Sequence, residues 1–223
     1  MPVPKLVYTE TRQLTGWRKA HDYIRFYFWW WVNRIYTRTW FWLRIRGDQY
    51  IPTEGAALLA ANHLSYLDAN VISAASPRKV SFMIAREYYE SVFLKWMCEF
   101  LGCIPVNRTG EDLGAVKDAL RKLKNGMLLG CFPEGGISKT GEMEEAKHGI
   151  ALLALRTGVT VVPVYLKGYR LQSLSRSFFT PKRASINIGK PLTFEGEDYK
   201  DRESLARVTN RIVEAIRALD DEG

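Results

Sequence analysis

Short apolar runs alternate with amphipathic stretches along most of the chain. Apolar runs closed by polar or turn residues predict buried strands in GAALLAANH, VSFMIA, LGCIPV, MLLGCF, VTVVPVYLKG and ASINIG. An apolar stripe from Leu113 to Leu123 predicts a helix that ends at Asn125, a short helix is predicted in GIALLALRTG, and a last stripe predicts a helix from about Leu205 to Leu219. Because strands alternate with helices, we expect an α/β fold with a mixed, largely parallel central sheet that is flanked by helices.

The segment RFYFWWWVNRIYTRTWFWLRIRG departs from this pattern. It holds five of the seven tryptophans of the chain beside five arginines. Its longest uncharged run, between Arg25 and Arg34, is eight residues, whereas a helix needs about twenty apolar residues to cross a bilayer. We therefore expect no membrane span, but a helix from about Trp17 to about Thr37 and then a strand in FWLRIRG. Since Arg25 and Arg34 would lie on opposite sides of one straight helix, we expect a bend or a second helix near Asn33.

The positive charge of the chain is concentrated at its N-terminal end. The formal net charge is +8, and residues 1–50 contribute +6 of it, because they hold nine Lys or Arg against three Asp or Glu. Such a surface suits an anionic membrane or a nucleic acid. Tryptophan mixed with arginine favours the membrane interface, and no helix-turn-helix, zinc or RNP pattern favours nucleic acid. The residues that we expect at the interface are Arg25, Trp29, Trp30, Trp31, Arg34 and Arg38. Alternatively, Trp29–Trp31 pack onto the body of the protein.

The cysteines and the first residues bear on the cellular compartment. The three cysteines form no C-x-x-C pair, so we expect reduced thiols and no metal site. The first sixteen residues lack the apolar centre of a secretory signal peptide. Together with the aromatic-basic segment, these features predict a peripheral or monotopic protein on the cytoplasmic face of a membrane.

Polar residues follow the first predicted strand of the body in NHLSYLD. His63 comes directly after the apolar run, and Asp68 lies five residues later. If His63 lies in the loop and Ser65 caps the next helix, the Asp68 carboxylate can reach back to the imidazole and leave its other ring nitrogen free as a base. The alternative is a structural histidine beside an aspartate that favours a helix N-terminus.

Two further loops carry groups that suit an active site. Arg108 ends GCIPVNR, and a guanidinium is a bidentate ligand for anions. Glu134 precedes Gly135 and Gly136 in FPEGGIS, where glycine lets the backbone approach a ligand closely. Taken singly, Arg108 could equally be an ordinary surface arginine, and the loop of Glu134 could be an ordinary turn.

NHLSYLD, GCIPVNR, FPEGGIS and VVPVYL stand in the order and approximate spacing of the four motifs of the glycerolipid acyltransferases. From about residue 40 to about residue 195 the chain resembles this family, in particular its lysophosphatidate acyltransferase-like members. The resemblance implies a membrane-associated enzyme that moves a fatty acyl group from a thioester, either acyl-CoA or acyl-carrier protein, to the free hydroxyl of lysophosphatidate. We accordingly expect a membrane-interface segment in residues 1–46 and an acyltransferase domain in residues 47–223.

The resemblance also implies the roles of individual residues. His63 and Asp68 match the catalytic dyad of the family. Arg108, Glu134 and Gly135 match its acceptor-binding region, and Gly136 lies beside them. A thioester is already activated, so we expect no metal and no cofactor. No serine or cysteine stands near His63 in a nucleophile-elbow pattern, which favours direct transfer over an acyl-enzyme.

One departure from the family bears on the acceptor. Lysophosphatidate-specific members usually carry Thr-Arg after the Glu-Gly of the third motif, whereas Gly136 and Ile137 stand there in this chain. A headgroup-bearing lysophospholipid, such as lysophosphatidylethanolamine, is therefore the alternative acceptor. A non-catalytic lipid-binding relative is a further alternative, although such a protein needs no base directed at a hydroxyl.

The segment LKGYRLQSLSRSFFTPKR is rich in basic and aromatic residues and contains no acid. It suits a dock for the phosphates of CoA, for the acidic face of a carrier protein, or for a membrane edge. The alternative is a solvated basic loop.

Overall fold

The structure, a computed structural model, describes residues 16–92, 94–107, 112–169 and 183–220. Its helices are α1 (Gly16–Trp40), α2 (Asp68–Ala75), α3 (Arg86–Tyr89), α4 (Lys95–Leu101), α5 (Leu113–Lys124), α6 (Gly149–Thr157) and α7 (Arg202–Ala218). Its strands are β1 (Arg44–Arg46), β2 (Ala57–Ala61), β3 (Val80–Ala85), β4 (Ile104–Val106), β5 (Leu128–Cys131), β6 (Thr160–Lys167) and β7 (Ser185–Ile188). Most of the basic segment that was predicted to dock a donor or a membrane lies outside the described residues.

In the described part of the chain, seven strands form one sheet in the order β1-β7-β6-β2-β5-β3-β4. The five strands from β6 to β4 all run parallel. Strand β7 is antiparallel to β6 and parallel to β1, so the two strands at that edge run in the opposite direction. The predicted α/β fold with a mixed, largely parallel sheet is confirmed.

Hydrophobic cores lie on both faces of this sheet. Successive side chains of a strand point to opposite faces, and the fully buried Leu58 and Leu59 of β2 accordingly belong to different cores. One core is completed by α2 and α4, and the other by α5, α6 and α7. Because each fully buried leucine stabilises the fold by about 1.5–3 kcal/mol, burial on both faces holds the strand ends, where polar loops begin, in fixed positions.

Helix α1 is docked on the C-terminal end of α2. The indole Nε1 of Trp30 donates a 3.0 Å hydrogen bond to the carbonyl oxygen of Ser76, and Nη1 of Arg34 donates one of 2.6 Å to Ala74. The last carbonyls of a helix lack partners within the helix, and these two side chains supply them. The expectation that Trp30 and Arg34 face the membrane is therefore wrong, because both are buried against the body, as the alternative interpretation had it for Trp30.

The same contacts explain how one helix accommodates arginines on opposite sides. Helix α1 is continuous from Gly16 to Trp40, so the second helix expected near Asn33 is absent from the described residues. The side chain of Asn33 donates a 2.8 Å hydrogen bond to the carbonyl of Asn70, next to the contacts made by Arg34. Asn33 and Arg34 thus form a polar face of α1 that binds α2 instead of facing solvent.

The opposite face of α1 is open to solvent and largely apolar. Trp31 is 54% exposed and Phe28 is 72% exposed. Trp29 is half-buried, with its ring 6.3 Å from that of Phe100, whereas Arg25 and Arg38 are exposed. Among the described residues, no helix is both long and apolar enough to cross a membrane.

Strand β1 ties this region to the sheet. The predicted domain boundary falls directly after Arg46, yet residues Arg44–Arg46 pair with Ser185–Asn187 of β7. A division after residue 46 therefore separates β1 from the sheet that it completes.

Candidate active site

The candidate site lies where three parallel strands end. Strands β5, β2 and β6 are neighbours in the sheet, with β2 in the middle. His63 follows β2, Glu134 follows β5 and Tyr169 follows β6. Because the carboxyl ends of parallel strands meet at the same edge, these three side chains come from loops that share one corner of the molecule.

His63 and Asp68 are joined by a direct hydrogen bond. The imidazole Nδ1 of His63 lies 2.7 Å from Oδ2 of Asp68, whose side chain is fully buried. A carboxylate only accepts hydrogen bonds, so Nδ1 carries the proton and Nε2 is the nitrogen available as a base. The His63 side chain keeps 19% of its surface exposed, which leaves the ring accessible from outside.

Asp68 also organises the turn that carries His63. Its Oδ2 accepts the backbone N–H groups of Leu64 at 2.6 Å and of Ser65 at 2.9 Å. The expectation that Ser65 caps the helix is wrong, because α2 begins at Asp68 and its N-cap residue is Leu67, which has no capping side chain. One buried carboxylate thus holds both the imidazole and the backbone beside it.

The imidazole rests on an aromatic stack. The ring of His63 lies parallel to that of Phe132, with centroids 4.0 Å apart and an angle of 14°. The ring of Phe132 in turn lies at 14° to the fully buried Phe82, at 6.2 Å. Phe132 comes directly after β5, so the sheet sets the plane of the imidazole ring as well as its place.

Glu134 connects the loops instead of presenting a free carboxylate. It is 8% exposed, its Oε1 accepts the backbone N–H of His63 at 2.9 Å, and its Oε2 accepts that of Glu144 at 3.1 Å. Burial raises the pKa of Glu134, and the hydrogen bonds from the two N–H groups oppose that rise. The role of Glu134 in binding an acceptor stays a prediction, whereas its contacts make it a brace for His63.

The glycines after Glu134 form a tight turn. Gly135 has a φ of 72°, and a Cβ there would lie 3.1 Å from Nζ of Lys147. Gly136 has no atom within 4 Å of an added Cβ, so the loop is open at that position. Arg108 lies outside the described residues, and its predicted part in the site is untested. A search of the described residues finds no group of three His, Cys, Asp or Glu side chains that could hold a metal ion.

Sequence reasoning missed Tyr169. Its hydroxyl donates a 2.8 Å hydrogen bond to Oδ1 of Asp68, and the residue is 3% exposed. Burial, and next the charge of Asp68, raise the pKa of Tyr169 well above its ordinary value, so the hydroxyl keeps its proton. The signal in the sequence was its position two residues after the apolar run of β6, which the basic residues around it obscured.

These contacts place a histidine, oriented by a buried aspartate, at the carboxyl edge of a parallel sheet, an arrangement that suits an enzyme. The chain belongs to the Acyltransferase family, whose model matches residues 43–167, and it is an acyltransferase. The resemblance drawn from the four motifs is thereby confirmed.

Several characterised proteins are similar over most of the chain. The 1-acyl-sn-glycerol-3-phosphate acyltransferase of Bacillus subtilis is 23% identical over 185 residues, which cover 81% of this chain and 89% of that one. The alpha enzyme of the same name from Mus musculus is 24% identical over 187 residues, 81% of this chain and 66% of that one. The crystal structure of the 1-acyl-sn-glycerophosphate acyltransferase PlsC from Thermotoga maritima matches with a TM-score of 0.68 and 26% identity, covering 92% of this chain and 85% of that one.

Proposed function

We propose that the protein transfers a fatty acyl group from an acyl thioester to the free hydroxyl of lysophosphatidate and so forms phosphatidate. The observation that carries the proposal is the 2.7 Å hydrogen bond between His63 and the buried Asp68, which leaves Nε2 free as a base. The acceptor is taken from the names of the relatives, which act on 1-acyl-sn-glycerol-3-phosphate.

The reaction proceeds by direct attack. Nε2 of His63 takes the proton of the acceptor hydroxyl while the oxygen attacks the thioester carbonyl, and Asp68 stabilises the imidazolium that forms. The tetrahedral intermediate then expels the thiolate, which recovers the proton from His63. The new ester bond and the released thiol balance the thioester and the hydroxyl that are consumed.

The described residues near the base support a mechanism without an acyl-enzyme. Cys131 lies at the end of β5, but burial raises its pKa to about 12, so it is not the thiolate that a nucleophile requires. Ser65 is fully buried, and its hydroxyl oxygen accepts the N–H of Leu67 at 3.3 Å. Neither side chain is a free nucleophile beside His63.

The exposed face of α1 supports a peripheral attachment to the cytoplasmic face of an anionic membrane. Exposed apolar side chains such as Phe28 and Trp31 would enter the interface, and Arg25 and Arg38 would contact lipid phosphates. A lysolipid acceptor remains in the bilayer surface in this arrangement, so its acyl chain need not pass through water.

A headgroup-bearing lysophospholipid is the second candidate acceptor. The observation that favours it is the open position at Gly136, where the lysophosphatidate-specific pattern has a larger residue and then an arginine. The loop thus offers room without the fixed positive charge that a phosphate monoester would use.

One set of assays tests the proposal. The purified protein is incubated with oleoyl-CoA or oleoyl-acyl-carrier protein and with lysophosphatidate or lysophosphatidylethanolamine, and mass spectrometry identifies the products. We expect phosphatidate, and we expect His63→Ala to lower turnover by about 10²–10⁴-fold. His148→Ala is the matched control, because the imidazole of that exposed histidine contacts Thr209 of α7 at 3.1 Å, whereas that of His63 contacts Asp68.

The assays test the choice of acceptor independently of the role of His63. Product from lysophosphatidylethanolamine alone would assign the second candidate. Undiminished turnover by His63→Ala would refute the proposed base whatever the acceptor.

A further inference from the structure

We propose that Tyr169 is a positioning residue for the acyl transfer, which holds the Asp68 carboxylate in the orientation that presents Oδ2 to His63. The inference rests on the proposed function of the His63–Asp68 pair. Tyr169 would be a third residue beside that pair. It follows β6, and none of the residues predicted for the site lies on or after that strand.

The two oxygens of Asp68 have different partners. Oδ2 faces Nδ1 of His63 and the backbone N–H groups of Leu64 and Ser65, all from its own loop. Oδ1 accepts the hydroxyl of Tyr169 at 2.8 Å, a contact across 101 residues of sequence. An aspartate side chain can exchange its oxygens by turning about its last bond, and a donor fixed on Oδ1 opposes that turn.

Tyr169 is itself fixed by the sheet. It follows β6, which pairs with β2 over residues Thr160–Val164, and the amide of Asn62 adds hydrogen bonds to both backbone groups of Leu166 at 2.7 and 3.0 Å. Its ring meets that of Phe41 edge to face at 5.8 Å. The hydroxyl is therefore held against Asp68 by the same strand pairing that places His63.

The hydroxyl also moderates the charge that His63 meets. A hydrogen bond to Oδ1 spreads the negative charge of the carboxylate over both oxygens. Among the described titratable side chains, those of His63 and Tyr169 hydrogen-bond the Asp68 carboxylate, and the Glu134 carboxylate accepts the backbone N–H of His63. Without the hydroxyl, more charge rests on Oδ2, the imidazolium is favoured, and the base loses activity at a higher pH.

The conservative variant Tyr169→Phe tests the proposal, because it keeps the ring and removes only the hydroxyl. We expect kcat to fall by about tenfold at neutral pH. The KM for the acyl donor and the KM for the acceptor should each change by less than about twofold, because Asp68 is fully buried and does not contact substrate. The acid limb of the kcat/KM profile should move to higher pH. A purely structural role would lower the thermal midpoint and leave that limb in place.

The matched control is Tyr165→Phe. Tyr165 lies on β6, the strand that precedes Tyr169, and its hydroxyl also bonds a carboxylate, that of Asp220. We expect the control to leave kcat and the pH profile unchanged.

A double-mutant cycle with Asp68→Asn gives a second readout. If Tyr169 acts through the carboxylate, Tyr169→Phe should cause no further loss of kcat in the Asp68→Asn background. An equal loss in both backgrounds would overturn the proposal.

The failure of the proposed function is distinguishable from the failure of this inference. The signal of the hydrogen-bonded Nδ1 proton of His63 can be followed by proton NMR without any substrate, with His63→Ala to assign it. We expect Tyr169→Phe to change the chemical shift of this proton, because the carboxylate that accepts it loses a donor on Oδ1. An unchanged chemical shift would refute the role of Tyr169 even if the enzyme acylates lysophosphatidate as proposed.

Discussion

The backbone N–H of His63 donates a 2.9 Å hydrogen bond to Oε1 of Glu134, and the carbonyl of His63 accepts the N–H of Ser138 at 2.8 Å. Both backbone groups of His63 are thus held by the loop after β5. The second oxygen of Glu134 binds the N–H of Glu144, so the same carboxylate closes that loop on itself. The position of the His63 backbone depends on Glu134 as directly as the orientation of its ring depends on Asp68.

Glu134→Ala should therefore weaken both the fold and the reaction. Two N–H groups, those of His63 and Glu144, lose their acceptor, and each partly buried unpaired group costs about 1–3 kcal/mol. We expect a lower free energy of unfolding in urea and a lower kcat at temperatures where the variant stays folded. Glu145→Ala, an exposed change in the same loop, should alter neither quantity. Wild-type kcat in the folded Glu134→Ala variant would contradict the bracing role.

The contribution of Glu134 to stability should depend on pH. Burial raises its pKa in the folded protein above the value in the unfolded chain, so folding favours the protonated form. Its contribution is therefore fully present below the unfolded pKa and decreases as the pH rises through the raised value. We expect the unfolding free energy of the wild type, relative to Glu134→Gln, to be larger at about pH 4 than at about pH 7. Urea denaturation of both proteins at the two values measures this, and a difference that grows with pH would contradict the assigned direction.

Gly130→Ala should displace the His63 ring, although Gly130 lies inside the sheet. A Cβ at Gly130 would overlap the ring of Phe82, which is fully buried and stacks on Phe132 beneath His63. Overpacking of this kind costs about 1–3 kcal/mol, and a shift of the stack moves the imidazole. We expect a lower thermal midpoint and a lower kcat. Gly149→Ala, where an added Cβ meets nothing within 4 Å, is the control and should keep both values.

Local sequence patterns predicted those parts of the fold that local interactions decide. The apolar runs located β2, β5 and β6, because strands buried on both faces are continuous in hydrophobicity. The stripe and stop signal located α5, which ends at Lys124 immediately before Asn125. The short helices α3 and α4 were missed, since one or two turns carry too little periodicity to distinguish them from a loop.

Contacts between distant segments could not be predicted in this way. Trp30 and Arg34 point toward the body because they bind carbonyl groups at the end of α2, about forty residues away in the sequence. Nothing in the sequence of α1 reveals those partners. Tyr169 reaches Asp68 only because β6 lies next to β2 in the sheet order. The pairing of His63 with Asp68 could be predicted because Asp68 lies only five positions after His63 in the sequence.

Trp30 and Trp31 are neighbours in sequence that should respond in opposite ways to the same substitution. Trp30 is 5% exposed and bonded to Ser76, so Trp30→Ala should lower the unfolding free energy by about 3–5 kcal/mol. Trp31 is 54% exposed, and loss of an exposed side chain should change stability by less than about 0.5 kcal/mol. Trp31→Ala should instead weaken binding to anionic vesicles in flotation, because its indole belongs to the face that we assign to lipid.

Measuring stability and vesicle binding on both variants separates the packing of α1 on the body from its attachment to the membrane. Urea denaturation reports the first property and flotation with phosphatidylglycerol vesicles the second, both on the same purified variants. If Trp31→Ala floats as the wild type does, and Ile35→Ala on the same exposed face also does, then the open face of α1 does not bind lipid. If Trp31→Ala is instead as destabilised as Trp30→Ala, the indole of Trp31 packs against the body, and the division of α1 into a docked and an open face is incorrect.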